Sequence, residues 1–308
     1  MHIKISINLS FAFLFFLINI AMWLLVPLGL AQHTSLIVIN VIAVITTNPY
    51  WALLHEGIHR IFHPNKKVND LTCRGIALSF GTVFYIVRYG HLMHHRMNRQ
   101  GPDLIDAYYP QTEKRWQKNV HYFSYILGGL YLSEVFSPLL VFLPKRLLTP
   151  LLKTVLGSES PYYQVACSSL LKAKTLWQCR IDALLLYALF AVSFWLYGHL
   201  WWVLLITLLA RGFLISFADN LPHYGTALDK PLYALNTRMP RYLRVSLFHF
   251  NLHRIHHEHP TLPWSALPQK MQTKGDQCDI GYFAQALRQS LSAMEGQRPR
   301  RIVPGRRG

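Results

Sequence analysis

The sequence predicts an all-α integral membrane protein of two transmembrane hairpins, about four spans, with interfacial or re-entrant helices and a cytosolic cap of clustered histidines. Three features predict it. Hydrophobic residues make up 52% of the 308 residues and charged residues only 15%, against about 25% charged in an ordinary soluble domain. The apolar residues fall in runs long enough to cross a bilayer, and the 31 Lys+Arg, against 14 Asp+Glu, lie mostly between those runs. Eight histidines gather in three short clusters near the ends of the runs. A formal net charge of +17 also suits a nucleic-acid binder, but such a protein concentrates its cations on one soluble face. Cations between apolar runs fit cytosolic loops and anionic lipid head groups instead, so no nucleic-acid partner is expected.

The first apolar run covers residues 5–31. It exceeds the 7–15 residues of a signal-peptide core, so it is read as a retained helix. A second run, 35–54, follows a short loop with no Lys or Arg, and Arg60, Lys66, Lys67 and Arg74 come after it. The positive-inside rule puts both ends of this hairpin in the cytosol. The stretch 181–218 is long enough to cross twice at about 1.5 Å per residue. It turns at Tyr197-Gly198-His199, with Trp195, Trp201 and Trp202 at the interface and basic residues beyond both ends. The segment 120–143 is apolar but flanked by cations on both sides, and it contains Glu134, Pro138 and two adjacent glycines. A crossing there would put two histidine clusters on opposite faces, so it is read as re-entrant or interfacial. One domain is expected over 1–294, with a basic, disordered tail over 295–308. No endoplasmic-reticulum address is seen at the C-terminus, which favours a bacterial inner membrane with the site facing the cytosol.

Four cysteines, Cys73, Cys167, Cys179 and Cys278, form no C-x-x-C pair, which excludes an iron–sulfur centre of the usual spacing. The histidines carry the chemistry. His55 and His59 stand in H-E-G-I-H, His91, His94 and His95 in H-L-M-H-H, and His253, His256 and His257 in H-R-I-H-H. At this histidine frequency one H-x-x-H-H arises by chance on the order of 0.04 times per chain. On a helix, positions i, i+3 and i+4 share a face, about 5–6 Å apart at Cβ, so such imidazoles converge on a metal. Imidazole suits iron, zinc, copper and nickel alike. Eight ligands exceed the three or four that one zinc takes, so two open-sided metals are expected. H-E-G-I-H alone has the form of a zinc-protease motif, but the six further clustered histidines argue against that reading. A metal transporter would hold its ligands near the bilayer midplane, whereas these clusters are read past the helix ends. His2, His33, His63, His121, His199, His249 and His259 are read as surface or head-group contacts.

The order of the clusters and their places relative to the hairpins resemble the membrane fatty acid desaturase superfamily, which includes carotenoid ketolases and hydroxylases. The likeness runs from about Trp51 to Pro268, through H-E-G-I-H-R-I-F-H-P-N, H-L-M-H-H-R-M-N and N-L-H-R-I-H-H-E-H-P with Leu262-Pro263-Trp264 beyond. The family has a lone ligand histidine after the last span, and Asp219-Asn220-Leu221-Pro222-His223 fits that place. The resemblance therefore implies nine ligands, His55, His59, His91, His94, His95, His223, His253, His256 and His257, holding two iron ions. It implies that Asp219 or Asn220 supports a metal-bound water. It also implies O2 as co-substrate and a membrane lipid or acyl thioester as substrate. No electron-carrying domain is fused, so an external donor is expected: a ferredoxin, a rubredoxin or a b-type cytochrome. Glu56, Asp103, Asp106 and Glu258, beside the boxes, are candidates for fixing imidazole tautomers.

Desaturation of an acyl chain is the leading expectation. The alternative, to which N-L-P-H-Y-G is similar, is oxygen insertion by a carotenoid ketolase or hydroxylase or an alkane hydroxylase. Loss of two hydrogens against gain of oxygen separates them.

Overall fold

The computed structural model describes residues 3–230 and 232–296. The chain is almost wholly helical, and its helices pack as the hydropathy predicts. Helix α1 (Ile5–Gly29) is 25 residues long, about 38 Å and enough to span. Pro27 has no N–H to give to the carbonyl of Trp23, and a π-turn over Ala21–Leu25 absorbs the mismatch. Helices α2 (Thr34–Ile45) and α3 (Thr47–Ile58) form the return, bent by 45°. The bend falls where Pro49 takes away the N–H that the carbonyl of Ile45 would receive. Helix α3 continues through His55 and Glu56 to Ile58, so the first cluster rides on the helix rather than beyond its end.

Helix α4 (Lys66–Phe80) begins at Asn65, whose side chain accepts from the N–H of Lys67 at 2.9 Å and Val68 at 3.2 Å. It stops at Gly81, left-handed at φ 104°, where any side chain would meet the Tyr131 hydroxyl. Helix α5 (Phe84–Met97) leaves at 97° to α4 and carries the second cluster back toward the first. The turn stops short of the far end of the bundle. Gly81 faces Phe190, about two helical turns short of Tyr197 at the far end of the bundle.

Helix α6 (Arg115–Phe142) has the length and composition of a span, yet its contacts show it entering and returning. The Tyr122 hydroxyl donates to the Gln289 carbonyl at 2.6 Å at the histidine end of the bundle. Gly128, at φ 134°, breaks the helix beside the backbone of Gly212. The carbonyls of Val141 and Leu143 then accept from Arg180, at 2.7 and 2.9 Å, back at the histidine end. Of the two expectations for 120–143, re-entrant or interfacial, these contacts follow the re-entrant one, with Glu134 and Pro138 in its rising half.

Helices α7 (Lys145–Leu156) and α8 (Pro161–Ser168) follow as short elements at the same level. In α7, Leu147, Leu151 and Val155 are exposed, while Leu148 is buried. This arrangement suits a helix lying in the lipid interface. Helices α9 (Ala173–Tyr197) and α10 (Trp201–Asn220) form the second hairpin, reversing at Gly198. Within it, Phe190 and Phe194 lie alongside Leu205, Leu208 and Leu209.

Lipid is as apolar as leucine, so packing and interhelical hydrogen bonds, each about 0.6 kcal/mol, hold such a bundle together. Asn40 donates to the Tyr197 hydroxyl at 3.1 Å and to Thr207 at 3.0 Å, and Tyr197 donates to the Met22 carbonyl at 2.9 Å. Arg74 makes a forked pair with Asp182 at 2.6 and 2.9 Å. The largest buried apolar cluster among the described residues, around Tyr50, Leu54, Ile58, Phe62, Phe80 and Phe84, lies on the elements that carry the first two histidine clusters.

The cap contains α11 (Arg241–Ser246), α12 (His253–Glu258), α13 (Leu267–Lys274) and α14 (Tyr282–Gln289). It is tied together by two short parallel pairs. β1 (Ala107–Tyr108) pairs with β4 (Met294–Glu295), and β2 (Thr237–Arg238) with β3 (Ile280–Gly281). Glu295 and Gly296 thus belong to a paired strand edge, Gly296 donating to the Tyr108 carbonyl at 2.8 Å. The rest of the expected tail, 297–308, lies outside the described residues.

Candidate metal centre

All nine histidines singled out from the sequence come together, in two groups. His55, His59, His91, His95 and His256 form one; His94, His223, His253 and His257 form the other. Each group draws on several elements. His55 sits on α3 with His59 one turn on, as its C-cap. His91, His94 and His95 sit on α5, the clustered histidines of the third box on α12, and His223 in the turn after α10. Because His94 sits three residues from His91 and one from His95, a single helix feeds both groups.

The nitrogen spacing matches a metal's requirement. In the first group the Nε2 atoms of His59 and His91, of His91 and His95, and of His95 and His256 are each 3.0 Å apart. In the second group those of His94 and His223, His223 and His253, and His253 and His257 are each 3.1 Å apart. Two nitrogens about 2.1 Å from one ion, at right angles, are about 3.0 Å apart. His55 Nε2 is buried with no hydrogen-bond partner among the described residues, a cost of about 1–3 kcal/mol unless something binds it. Burial and the neighbouring histidines hold His223, His256 and His257 well below the usual imidazole range, and His253 at about 3. These rings are therefore neutral at pH 7, with lone pairs free for a cation. The donor set fits two metal ions.

The surroundings carry the complementary charge. Among the described residues, Asp70, Asp106, Asp182, Glu258, Asp276 and Asp279 pair with lysine or arginine. Glu56, Asp103 and Asp219, which flank the histidines, pair with none. Asp103 Oδ1 lies 2.8 Å from His94 Nδ1, and its Oδ2 accepts from the Arg99 N–H at 2.7 Å. It alone of the four acids picked out beside the boxes touches a histidine of the centre. Glu56 instead accepts from the Trp264 N–H at 3.2 Å, tying the Leu-Pro-Trp segment to α3, and Glu258 pairs with Lys274. Asp106 pairs with Arg99.

Asp219 and Asn220 face different ways. Asp219 lines the cavity below His94, next to Tyr125. Asn220 donates to Gln289 Oε1 at 3.1 Å and so fastens α10 to α14.

Two positioning groups escaped the sequence reading. Arg99 Nη1 donates to the carbonyl of His223 at 2.8 Å and to Thr226 Oγ1 at 2.7 Å, while Nη2 meets Asp106 at 2.7 Å. Asn236, from a separate loop, accepts from the N–H groups of Arg254 at 3.1 Å and Ile255 at 3.4 Å, serving as the N-cap that α12 lacks in its own sequence. Arg254 then clamps Asp276 and Asp279. The only trace of these contacts in the sequence is that Arg99 and Arg254 sit beside histidine clusters.

A cavity of about 350 Å³ opens below the centre, within the range of pockets that enclose small ligands. It starts at His91, His94 and Asp219 and ends among Leu148, Leu152 and Leu156 of α7. Two polyhistidine groups, each of which could hold a metal ion, thus stand at the head of a mainly apolar cavity in a membrane bundle. A family model described as fatty acid desaturase matches residues 34–285, and the chain belongs to that family. No curated protein and no solved structure matches it.

Proposed function

We propose that this protein is an O2-dependent di-iron acyl desaturase that introduces a double bond into an acyl chain at the cytosolic membrane face. The carrying observation is the junction itself: two all-histidine groups open onto a cavity walled mainly by apolar side chains. Two irons, held by His55, His59, His91, His95 and His256 and by His94, His223, His253 and His257, would supply oxygen activation and hydrogen abstraction. The chain's own residues do the positioning. The cavity fixes which carbons face the centre, Asp103 orients the ring of His94, and Asp219 lies at the junction, where it can hold a water against the centre. The turns at 30–33 and Gly198–Leu200 carry no Lys or Arg, whereas Lys114, Arg115, Lys145 and Arg146 flank the histidine end, so the positive-inside rule turns that end to the cytosol. Electrons come from a separate donor, a ferredoxin, a rubredoxin or a b-type cytochrome, drawn to this basic face.

The test is expression in a host with a compatible donor, with His94→Ala as control, followed by mass spectrometry of total lipids and iron analysis of the purified protein. A new acyl species lighter by two hydrogens, with about two irons per chain, supports the proposal. A product heavier by one oxygen moves the assignment to hydroxylation, and one that gains an oxygen and loses two hydrogens moves it to ketolation, on a carotenoid or an alkane. Well-folded protein that takes up no iron overturns it. Asp103→Asn keeps the shape but removes the anion behind His94. Loss of such a partner weakens metal binding by about 10–100-fold, and iron release to a chelator should accelerate accordingly. Unchanged retention would show that Asp103 does not tune the centre.

A further inference from the structure

A plain hydrocarbon needs only apolar walls, and this cavity has a carboxylate in one of them. Glu134, in the rising half of α6, lines the same cavity as Ile86, Leu130, Leu140 and Val141. Its Oε2 is fully buried and has no hydrogen-bond partner among the described residues. Among the described residues no lysine or arginine forms an ion pair with it, and the charged group that acts on it is Asp219, of the same sign. Ser133 and Ser137 stand beside it along the wall, and the Ser133 hydroxyl is already spent on the Leu130 carbonyl at 2.6 Å. A buried acceptor left alone in an apolar wall is strongly disfavoured. It is explained if the bound molecule brings a donor to it.

We propose that Glu134 is a specificity-determining residue that accepts a hydrogen bond from an O–H or N–H group carried part-way along the substrate. The substrate class is then a hydroxylated or amino-bearing long chain rather than an unsubstituted acyl chain. This rests on the acyl-chain reading of the cavity. A cavity built to bond a substrate donor discriminates sharply against the analogue lacking it, because the protein group is left unpaired. An unsubstituted chain would leave Glu134 as it is now, while a chain with a donor at the right carbon satisfies it. A hydroxyl and an amine differ in one respect: the amine also gains from the carboxylate's charge.

The experiment measures binding, independently of turnover. A fluorescent fatty acid bound to the purified, iron-loaded protein is displaced by chains of one length: unsubstituted, hydroxylated at successive carbons, and amino-bearing. Wild type, Glu134→Gln and Glu134→Leu are compared. One hydroxylated or amino-bearing chain is expected to bind wild type at least about tenfold more tightly than the unsubstituted chain. Glu134→Gln should keep a hydroxyl preference and lose any extra gain from an amine. Glu134→Leu should lose both while binding the unsubstituted chain as well as wild type or better. Equal binding of all chains to wild type overturns the assignment, as does a preference that survives in Glu134→Leu. Slower turnover of an unsubstituted chain by Glu134→Leu, with its binding and that of the substituted chains unchanged, also overturns it and makes Glu134 a proton carrier. If the unsubstituted chain binds but shows no competitor preference, only this inference fails. If no chain binds at all, the acyl-chain reading fails with it.

Discussion

Arg99→Met should destabilise the protein by about 3–5 kcal/mol, the usual consequence of removing one member of a buried ion pair. Arg99 and Asp106 are both buried and lie 2.7 Å apart. Asp106 Oδ2 also accepts from the Gly225 N–H at 2.7 Å, so guanidinium and carboxylate both grip the turn that carries His223. The Arg99 backbone is itself left-handed, at φ 59°, a conformation that the surrounding contacts must maintain. Methionine would fill the volume but leave Asp106 charged and alone, and would strip donors from the His223 carbonyl and Thr226. Arg99→Lys should recover little, since a point charge cannot reach several acceptors in fixed directions. Arg99→Met with Asp106→Leu should regain most of the stability, because no unpaired charge remains. Thermal unfolding in detergent measures this, and iron content reports whether the His223 group still forms. A loss under about 1 kcal/mol for Arg99→Met would show that the turn is held by other contacts.

The second large effect is expected at Gly57, inside H-E-G-I-H. Helices α3 and α4 approach so closely there that a methyl group on Gly57 would overlap Cys73 Sγ and stand 3.0 Å from its Cβ. Asn69 adds a bond across the contact, donating to the Gly57 carbonyl at 3.0 Å. Cys73 is fully buried and has no room to withdraw. Gly57→Ala should therefore cost about 1–3 kcal/mol or more, as overpacked cores do, even though alanine favours a helix by about 1 kcal/mol over glycine. The overlap would push α3 away from α4 and displace His55 and His59, so iron occupancy should fall along with stability. Cys73→Ala in the same chain removes the sulfur and should restore part of both. Gly57→Ala with wild-type melting and full iron would disprove the close contact.

The two positions show what kind of information the sequence carried in the clear. The histidine boxes were legible because the i, i+3, i+4 pattern is local, and a helix turns it directly into a shared face. The spans were legible because length and hydropathy are local as well. His223 became visible only through resemblance, since a lone histidine after a span has no spacing of its own; the structure places it 3.1 Å from His94 and from His253. Asn236 caps a helix that begins 17 residues later (253 − 236), and Arg99 grips a loop that begins beyond residue 220. Neither pairing leaves a periodic mark. The placement of His55 on α3 was misjudged for a related reason. The apolar run ends at Leu54, but the helix runs on to Ile58, because burial under the cap, not contact with lipid, carries its last turn.

The turn at Gly81 and the kink at Gly128 both reverse the chain before it reaches the side opposite the histidines. Among the described residues only α1 with its return through α2 and α3, and α9 with α10, go the whole way. On that side the protein offers little more than residues 30–33 and Gly198–Leu200. To an antibody, a protease or a membrane-impermeant label approaching from there, the molecule is nearly blank, while its opposite side is rich in lysine. Such one-sidedness turns orientation into something a single surface-labelling count can read in intact cells, and it leaves the blank side free to change without touching the chemistry.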